Sequence, residues 1–211
     1  MIRSRSGAAR LPLILVLAAA LAAGLGLWAG ARFTQKGEGS APAMQAALLF
    51  PAPREVPPFS LDLPGGEQLD AARLQGRWSL VFVGFTHCPD ICPVTLALLG
   101  EVEKQLADLP LQIVFVSVDP ERDSAERTSE YAGYFSANAL GATADHARLT
   151  PFARSLGMVY MQSELDNGDY TVDHSASIAI LDPQTRWVGL FRPPLDAARI
   201  AADLKTLAER G

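Results

Sequence analysis

Positive charge is scarce beyond residue 32. Arg3, Arg5, Arg10 and Arg32 take four of the 18 basic residues, and residues 1–32 hold no acid. Residues 33–211 therefore carry 14 basic against 23 acidic side chains, a net of −9. That distribution excludes the basic footprint of a nucleic-acid binder; it suits a basic protein partner or simply keeps the domain soluble. Cysteine is scarcer still: two residues, Cys88 and Cys92, four positions apart. A small secreted disulfide scaffold would carry more, spread along the chain. A local pair reads instead as a redox or metal site. The competing reading is a structural disulfide closing a tiny loop, which would remove little entropy from the unfolded chain. Histidine occurs three times, at positions 87, 146 and 174, and internal repeats are absent.

One long apolar run is present. Residues 11–31 (LPLILVLAAALAAGLGLWAGA) are uncharged over 21 positions, enough to cross the hydrocarbon core as a helix. The arginines before it predict a cytoplasmic N-terminus for residues 1–10 and place the following domain across the membrane. Trp28 falls where an interfacial aromatic would sit. The competing reading is a cleaved signal peptide, because Ala29-Gly30-Ala31 resembles a small-residue cleavage site. Both readings put the domain outside the cytoplasm, and no cysteine follows the run to carry a lipid. Residues 32–56, rich in Gly, Ala and Pro, read as a flexible tether, and residues 57–211 as one domain with a core of its own.

Within that domain, residues 78–85 (WSLVFVGF) and 111–118 (LQIVFVSV) read as buried strands. Residues 93–107 and 124–135 read as helices, the second with Asp123 as its N-cap. A short helix over 150–156 ends at Gly157. Residues 158–162 and 170–172 flank Asn167-Gly168, a strong hairpin signal. Residues 177–181 and 187–191 form a second hairpin pair, and 195–209 a closing helix. Strand–helix–strand crossovers imply a parallel portion of sheet with helices on its faces, and the late hairpin adds antiparallel strands. The expected fold is α/β and thioredoxin-like, a central mixed sheet flanked by helices and preceded by one transmembrane helix. Such folds host many functions, so the site must decide.

The stretch Thr86-His87-Cys88-Pro89-Asp90-Ile91-Cys92-Pro93 follows a buried strand and precedes a helix. A residue before proline is pushed out of the α region, so the two cysteines are not neighbours on a regular helix. Pro93 fits the first helical position, which makes Cys92 the expected N-cap. There the partial positive charge of the helix N-terminus should lower a thiol's pKa, with Asp90 opposing slightly. Two thiolates held by a proline-stiffened loop form a preorganised chelate. The C-x-x-x-C spacing is one residue wider than that of thioredoxin oxidoreductases, leaving room for a metal while still permitting a disulfide.

A third ligand is sought among the histidines. His146 lies in a polar stretch and is expected to face solvent. His87 adjoins Cys88, and adjacent side chains leaving a strand point apart, so co-ligation there is awkward. His174, in Val172-Asp173-His174-Ser175, falls between two predicted strands that the topology brings beside the cysteine loop. Alone it reads equally as ligand or structural residue; beside a thiol pair it reads as the third ligand. Two thiolates and one imidazole make a soft, low-coordinate set that selects Cu(I), whereas zinc usually wants four ligands. Asp173 could orient His174 or be only a strand-end turn residue.

The motif Gly84-Phe85-Thr86-His87-Cys88-Pro89-Asp90-Ile91-Cys92-Pro93 resembles the cysteine motif of the Sco/SenC family. Val118-Asp119-Pro120-Glu121-Arg122-Asp123 resembles the family's second block, and Asp173-His174-Ser175 the block that supplies its histidine. The order and spacing agree over about residues 57–208. The resemblance implies a thioredoxin-like fold binding copper, as Cu(I) and also Cu(II), through Cys88, Cys92 and His174. It implies a copper metallochaperone rather than a classical enzyme, maturing the copper centre of cytochrome c oxidase subunit II or a similar acceptor and loaded by a copper donor protein. The expected location is the cell (inner) membrane, single-pass, with the soluble domain on the periplasmic side. The alternative is a membrane-anchored thiol–disulfide oxidoreductase in which Cys88 and Cys92 cycle through a disulfide to reduce a target's cysteines. Asp119 either influences the site or merely terminates a strand. A peroxiredoxin-like peroxidase is disfavoured, since the threonine expected three residues before a reactive cysteine is replaced by Phe85 or Pro89.

Overall fold

The computed structural model describes residues 10–34, 44–166 and 168–210. The chain divides into two units, Met1–Pro42 and Ala43–Gly211. In the first, α1 (Arg10–Thr34) is a 25-residue helix that contains the apolar run. Its Leu15, Leu21, Leu25 and Trp28 are exposed. Among the described residues no helix is long and apolar enough to cross a membrane. The expected cytoplasmic segment before Arg10 and residues 35–43 of the expected tether lie outside the described residues.

The second unit is built on a six-stranded sheet of order β1-β10-β9-β4-β5-β6. At its centre β4 (Trp78–Gly84) and β5 (Leu111–Ser117) are buried at all seven positions each. They pair in parallel from Trp78↔Leu111 to Gly84↔Ser117. Burial on both faces is why these strands read as near-continuous apolar runs rather than alternating ones. Helix α3 (Ile91–Gln105) connects them, and α4 (Ala125–Phe135) leads from β5 to β6 (Leu140–Ala142), again parallel to β5. The antiparallel side comprises β9 (Ile178–Leu181), β10 (Trp187–Phe191) and β1 (Ala47–Arg54). The closing α6 (Ala197–Ala208) packs on α3. Short elements β2 (Leu61–Asp62), β3 (Gln68–Leu69) and α2 (Ala71–Leu74) precede β4. Helix α5 (His146–Ser155) leads into β7 (Tyr160–Glu164) and β8 (Tyr170–His174), which form a separate two-stranded sheet.

Several expectations need correction. Residues 47–54, assigned to the tether, form β1, whose prolines Pro51 and Pro53 are tolerated because the strand lies at the sheet edge and its register shifts between Leu49 and Arg54. What fixes this segment is remote. The buried carboxylate of Asp203 in α6 accepts the backbone N–H of Gln45, Ala46 and Ala47, each at 2.8 Å. The helix expected at 150–156 begins at His146, capped by Asp145, which accepts from Arg148 N–H at 3.0 Å. Gly157 closes the helix at φ 66° as expected. The cap of α4 is Ser124, not Asp123. The second predicted hairpin forms as β9 and β10, and the first as β7 and β8; of its predicted turn, Asn167 lies outside the described residues, and Gly168 has φ 82°.

Candidate metal centre

The end of β4 and the start of α3 bring the cysteines together. Gly84 ends the strand where no side chain fits: a Cβ there would lie 2.6 Å from Cys92 Sγ and 2.9 Å from Phe115 Cε2. The loop turns back on itself, Cys88 N–H donating to Phe85 carbonyl at 3.3 Å. Helix α3 then starts at Ile91, with Asp90 at the N-cap, so Cys92 is not the cap. It sits one residue inside the first turn. Pro93 is tolerated there because the first N–H groups of a helix have no intrahelical partner; the first helical bond runs from Val94 N–H to Asp90 carbonyl, 3.3 Å. Cys88 stays in the loop, off the helix, as the proline argument required, whereas Cys92 lies within α3 although Pro93 follows it.

Both cysteines are free thiols, Cys88 half-buried and Cys92 fully buried. Cys92 N–H points at Cys88 Sγ, 3.4 Å away. Cys92 Sγ lies 3.4 Å from Nε2 of His174. The two sulfurs and one His174 nitrogen all fall within 4.8 Å of one another, so the three could hold one metal ion. Their separation in sequence, 82 residues between Cys92 and His174, is closed by β8, whose last residue is His174.

His174 is gripped rather than free. Phe82 and Phe85 meet its ring edge-on at 5.8 and 6.0 Å. Its Nδ1 lies 3.2 Å from the carbonyl of Ser175. A carbonyl only accepts, so Nδ1 carries the proton and the lone pair of Nε2 faces the sulfur. Burial holds the imidazole pKa below its ordinary value, opposed by the Ser175 contact and by Asp173. The neutral ring is the form that ligates. Asp173 does not orient His174 by a hydrogen bond; its carboxylate accepts from Ser163 Oγ at 2.5 Å. Beside His174 a surface groove of about 450 Å³ runs between Val159, Met161 and Ser175.

The expectation of an acidified Cys92 is overturned. Burial pushes its pKa well above the ordinary thiol range, against a hydrogen bond from the Phe85 backbone and with Cys88 adding to the rise. Desolvation of a thiolate outweighs the helix N-terminus. In the metal-free protein, Cys92 S–H is therefore a donor toward neutral His174 Nε2, and a metal must displace that proton.

The other two histidines are elsewhere. His87 is exposed beside Arg127, 3.2 Å from its Nη2, and groups with Asp119 and Asp123 instead of with the thiols. His146 is not simply solvated: Nδ1 meets Tyr160 hydroxyl at 2.9 Å and Nε2 meets Glu121 Oε1 at 3.0 Å. Asp119, read as a strand terminator or a site residue, is fully buried and bonded to Tyr170 and Arg122. Asp123, read as a helix cap, accepts from Thr86 in the cysteine loop. The signal available for Asp119 was an acid two residues after a buried, largely apolar strand, which folding permits only with partners.

Parallel β4-β5-β6 with helical crossovers, antiparallel β9 and β10, and a thiol pair at the first strand–helix junction facing a histidine from a late hairpin define a thioredoxin-like protein with a dithiol–imidazole centre. The SCO1/SenC family model matches residues 50–209, and the chain belongs to that family. It is similar to Bradyrhizobium japonicum ScoI, solved with copper bound, at 34% identity and a TM-score of 0.63, covering 71% of this chain and 96% of that one. Apo Sco1 from Thermus thermophilus gives 33% identity and a TM-score of 0.70 over 79% of this chain and 99% of that one. Protein SCO2 homolog, mitochondrial, of Homo sapiens is 37% identical over 144 residues, 66% of this chain and 53% of that protein. The chain spans about half the length of such mitochondrial relatives.

Proposed function

We propose that this protein is a copper metallochaperone for assembly of the copper centre of cytochrome c oxidase, binding the ion through Cys88, Cys92 and His174. The observation that carries the reading is the convergence of two thiols and an imidazole within 4.8 Å. Sulfur and imidazole donors select Cu(I), with Cu(II) also accommodated by the nitrogen. Copper is cargo. Three ligands leave the ion open to a fourth, and half-buried Cys88 is the side from which an acceptor's thiolate can enter, replacing this chain's ligands one at a time. Subunit II of the oxidase or a similar acceptor receives the ion, and a donor protein supplies it. What supports the copper assignment is that relatives such as Bradyrhizobium japonicum ScoI were solved with copper bound.

Residues 11–31 are the proposed single-pass anchor in the cell (inner) membrane, with the domain on the periplasmic side. Its support is the 21-residue uncharged run preceded by Arg3, Arg5 and Arg10.

A second reading is favoured by the same thiols. Cys88 and Cys92 are adjacent and reduced, so they can reduce a target disulfide. Cys88 attacks one target sulfur and Cys92 then displaces it, leaving a Cys88–Cys92 disulfide and two target thiols. Such reduction would precede metallation of the same target.

The test is titration of the reduced full chain in detergent with Cu(I) against a competing chelator, beside His174→Ala. One ion per chain is expected. Removing a ligand should weaken binding by more than the roughly 10–100-fold that loss of a supporting residue costs. Binding indifferent to His174 would overturn the three-ligand site and leave the thiol–disulfide reading.

A further inference from the structure

The turn after β5 touches both halves of the centre. Asp119 and Asp123, its first and last residues, are fully buried, and buried carboxylates are tolerated only with hydrogen-bond partners. Those partners lie on opposite sides. Asp123 Oδ2 accepts from Thr86 N–H at 2.8 Å and from Ser117 Oγ at 2.6 Å, while Oδ1 accepts from Thr86 Oγ1 at 2.5 Å. Thr86 is two residues before Cys88. Asp119 Oδ1 accepts from Tyr170 hydroxyl at 2.7 Å, and Oδ2 accepts from Arg122 Nε at 2.6 Å. Arg122 then donates Nη1 to Tyr170 carbonyl at 3.1 Å, and its guanidinium lies 3.8 Å over the Tyr170 ring. Tyr170 opens the strand that ends in His174. Between them, Glu121 receives Gln162 Nε2 at 3.2 Å and meets His146, which meets Tyr160, the cross-strand partner of His174.

These ties hold the hairpin to the turn after β5, alongside the contact of Thr150 Oγ1 with Tyr160 hydroxyl at 3.0 Å. β7 and β8 form their own two-stranded sheet, outside the six-stranded ladder. An isolated hairpin is marginal in water, so side chains must set its place. We infer that residues 119–123 are a positioning clamp for the copper ligands, Asp123 fixing the cysteine loop while Asp119 and Arg122 fix the hairpin that carries His174. One short turn thereby sets the 3.4 Å spacing between Cys92 Sγ and His174 Nε2. The inference rests on the proposed copper site for what is bound, and on the metal-free geometry for how the ligands are held. A chain whose hairpin strays binds more weakly in proportion to its competent fraction.

Mild variants test the clamp without emptying a buried carboxylate pocket. Tyr170→Phe removes only the hydroxyl bonded to Asp119 and keeps the ring under Arg122. Thr86→Val removes only the hydroxyl bonded to Asp123. The reduced full chain is titrated with Cu(I) alone against a competing chelator, and the His174 ring is followed by NMR in the metal-free chain. Each substitution should weaken Cu(I) by about ten-fold, the size of one hydrogen bond to a charged group. The Tyr170→Phe loss should vanish in a His174→Ala background, whereas the Thr86→Val loss should persist there. Tyr170→Phe should also broaden or split the metal-free His174 ring signals, and Thr86→Val should not. A Tyr170→Phe loss that simply adds to that of His174→Ala, or unchanged affinity with sharp His174 signals in Tyr170→Phe, would overturn the clamp. If the wild-type chain bound no Cu(I), the copper reading would fall, and the His174 ring signals would still decide the clamp.

Discussion

Gly84→Ala places a methyl group where two buried side chains already stand. The added Cβ would sit 2.6 Å from Cys92 Sγ and 2.9 Å from Phe115 Cε2, well inside the optimum of about 3.5–4.0 Å between carbons. Neither neighbour has room. Phe115 is fully buried, with Phe82 at 6.2 Å and Tyr131 at 5.5 Å between ring centres. Gly84 itself is locked in register with Ser117. Relief therefore requires a shift of about 1 Å, and overpacking of this kind costs about 1–3 kcal/mol. At about 2–4 °C per kcal/mol for a domain of this size, a cost of about 2 kcal/mol lowers the melting temperature by roughly 4–8 °C. The easier movement is of Cys92 in the first turn of α3, and it breaks the contact with His174, so Cu(I) affinity should fall more than stability does. The control is Gly133→Ala in α4, where a Cβ meets nothing within 4 Å and the helix gains about 0.5–1 kcal/mol. Thermal unfolding and Cu(I) competition on both variants decide the matter. A Gly84→Ala chain that melts like wild type and keeps its copper affinity would refute the packing argument.

Other outcomes follow from the same geometry. Iodoacetamide at neutral pH should alkylate Cys88 well before Cys92, read by peptide mass mapping of the metal-free chain, because Cys92 is buried and its thiol is held protonated; equal rates would contradict this. The raised Cys92 pKa means that the folded chain keeps a proton the unfolded chain loses above about pH 8.5. Its stabilising contribution is thus present at neutral pH and lost as the medium becomes more alkaline, visible in denaturant midpoints compared with Cys92→Ala. The lowered His174 pKa has the opposite direction: its contribution holds above about pH 6.5 and is lost on acidification as the unfolded chain takes up a proton first. Following the ring by NMR should therefore show a midpoint below the ordinary histidine value. Asp203→Ala strips the partners from three backbone N–H groups, of Gln45, Ala46 and Ala47. A cost of about 2–4 kcal/mol is expected, with protease cleavage appearing first near residues 44–54; cleavage elsewhere would argue that β1 is held by its pairing with β10 alone.

The central strands were legible because burial on both faces leaves largely apolar runs, broken only by Ser79, Gln112 and Ser117, and residues 78–84 and 111–117 needed no further clue. The first hairpin announced itself through Asn167-Gly168. Strand β1 did not, since Pro51 and Pro53 imitate a linker, and one of its anchors, Asp203, lies 156 residues from Ala47. No local pattern encodes such a contact. The metal-ligand candidates were readable from residue types: with two cysteines and three histidines, few combinations exist. Their chemistry was less readable. The N-terminus of α3 argued for an acidic Cys92 thiol, and only the packing of Cys92 beneath Gly84 and Phe115 shows desolvation winning. Likewise Asp123 looked like a cap, because a helix start is visible in sequence while a partner 37 residues away at Thr86 is not.

The account stands most directly on which atoms surround bound copper. X-ray absorption on the reduced full chain loaded with one Cu(I) measures them, with His174→Ala as comparison. Two sulfur neighbours and one imidazole nitrogen, the nitrogen lost in the variant, are predicted. A shell of sulfur alone in the wild type, or one unchanged by His174→Ala, would contradict the dithiol–imidazole centre.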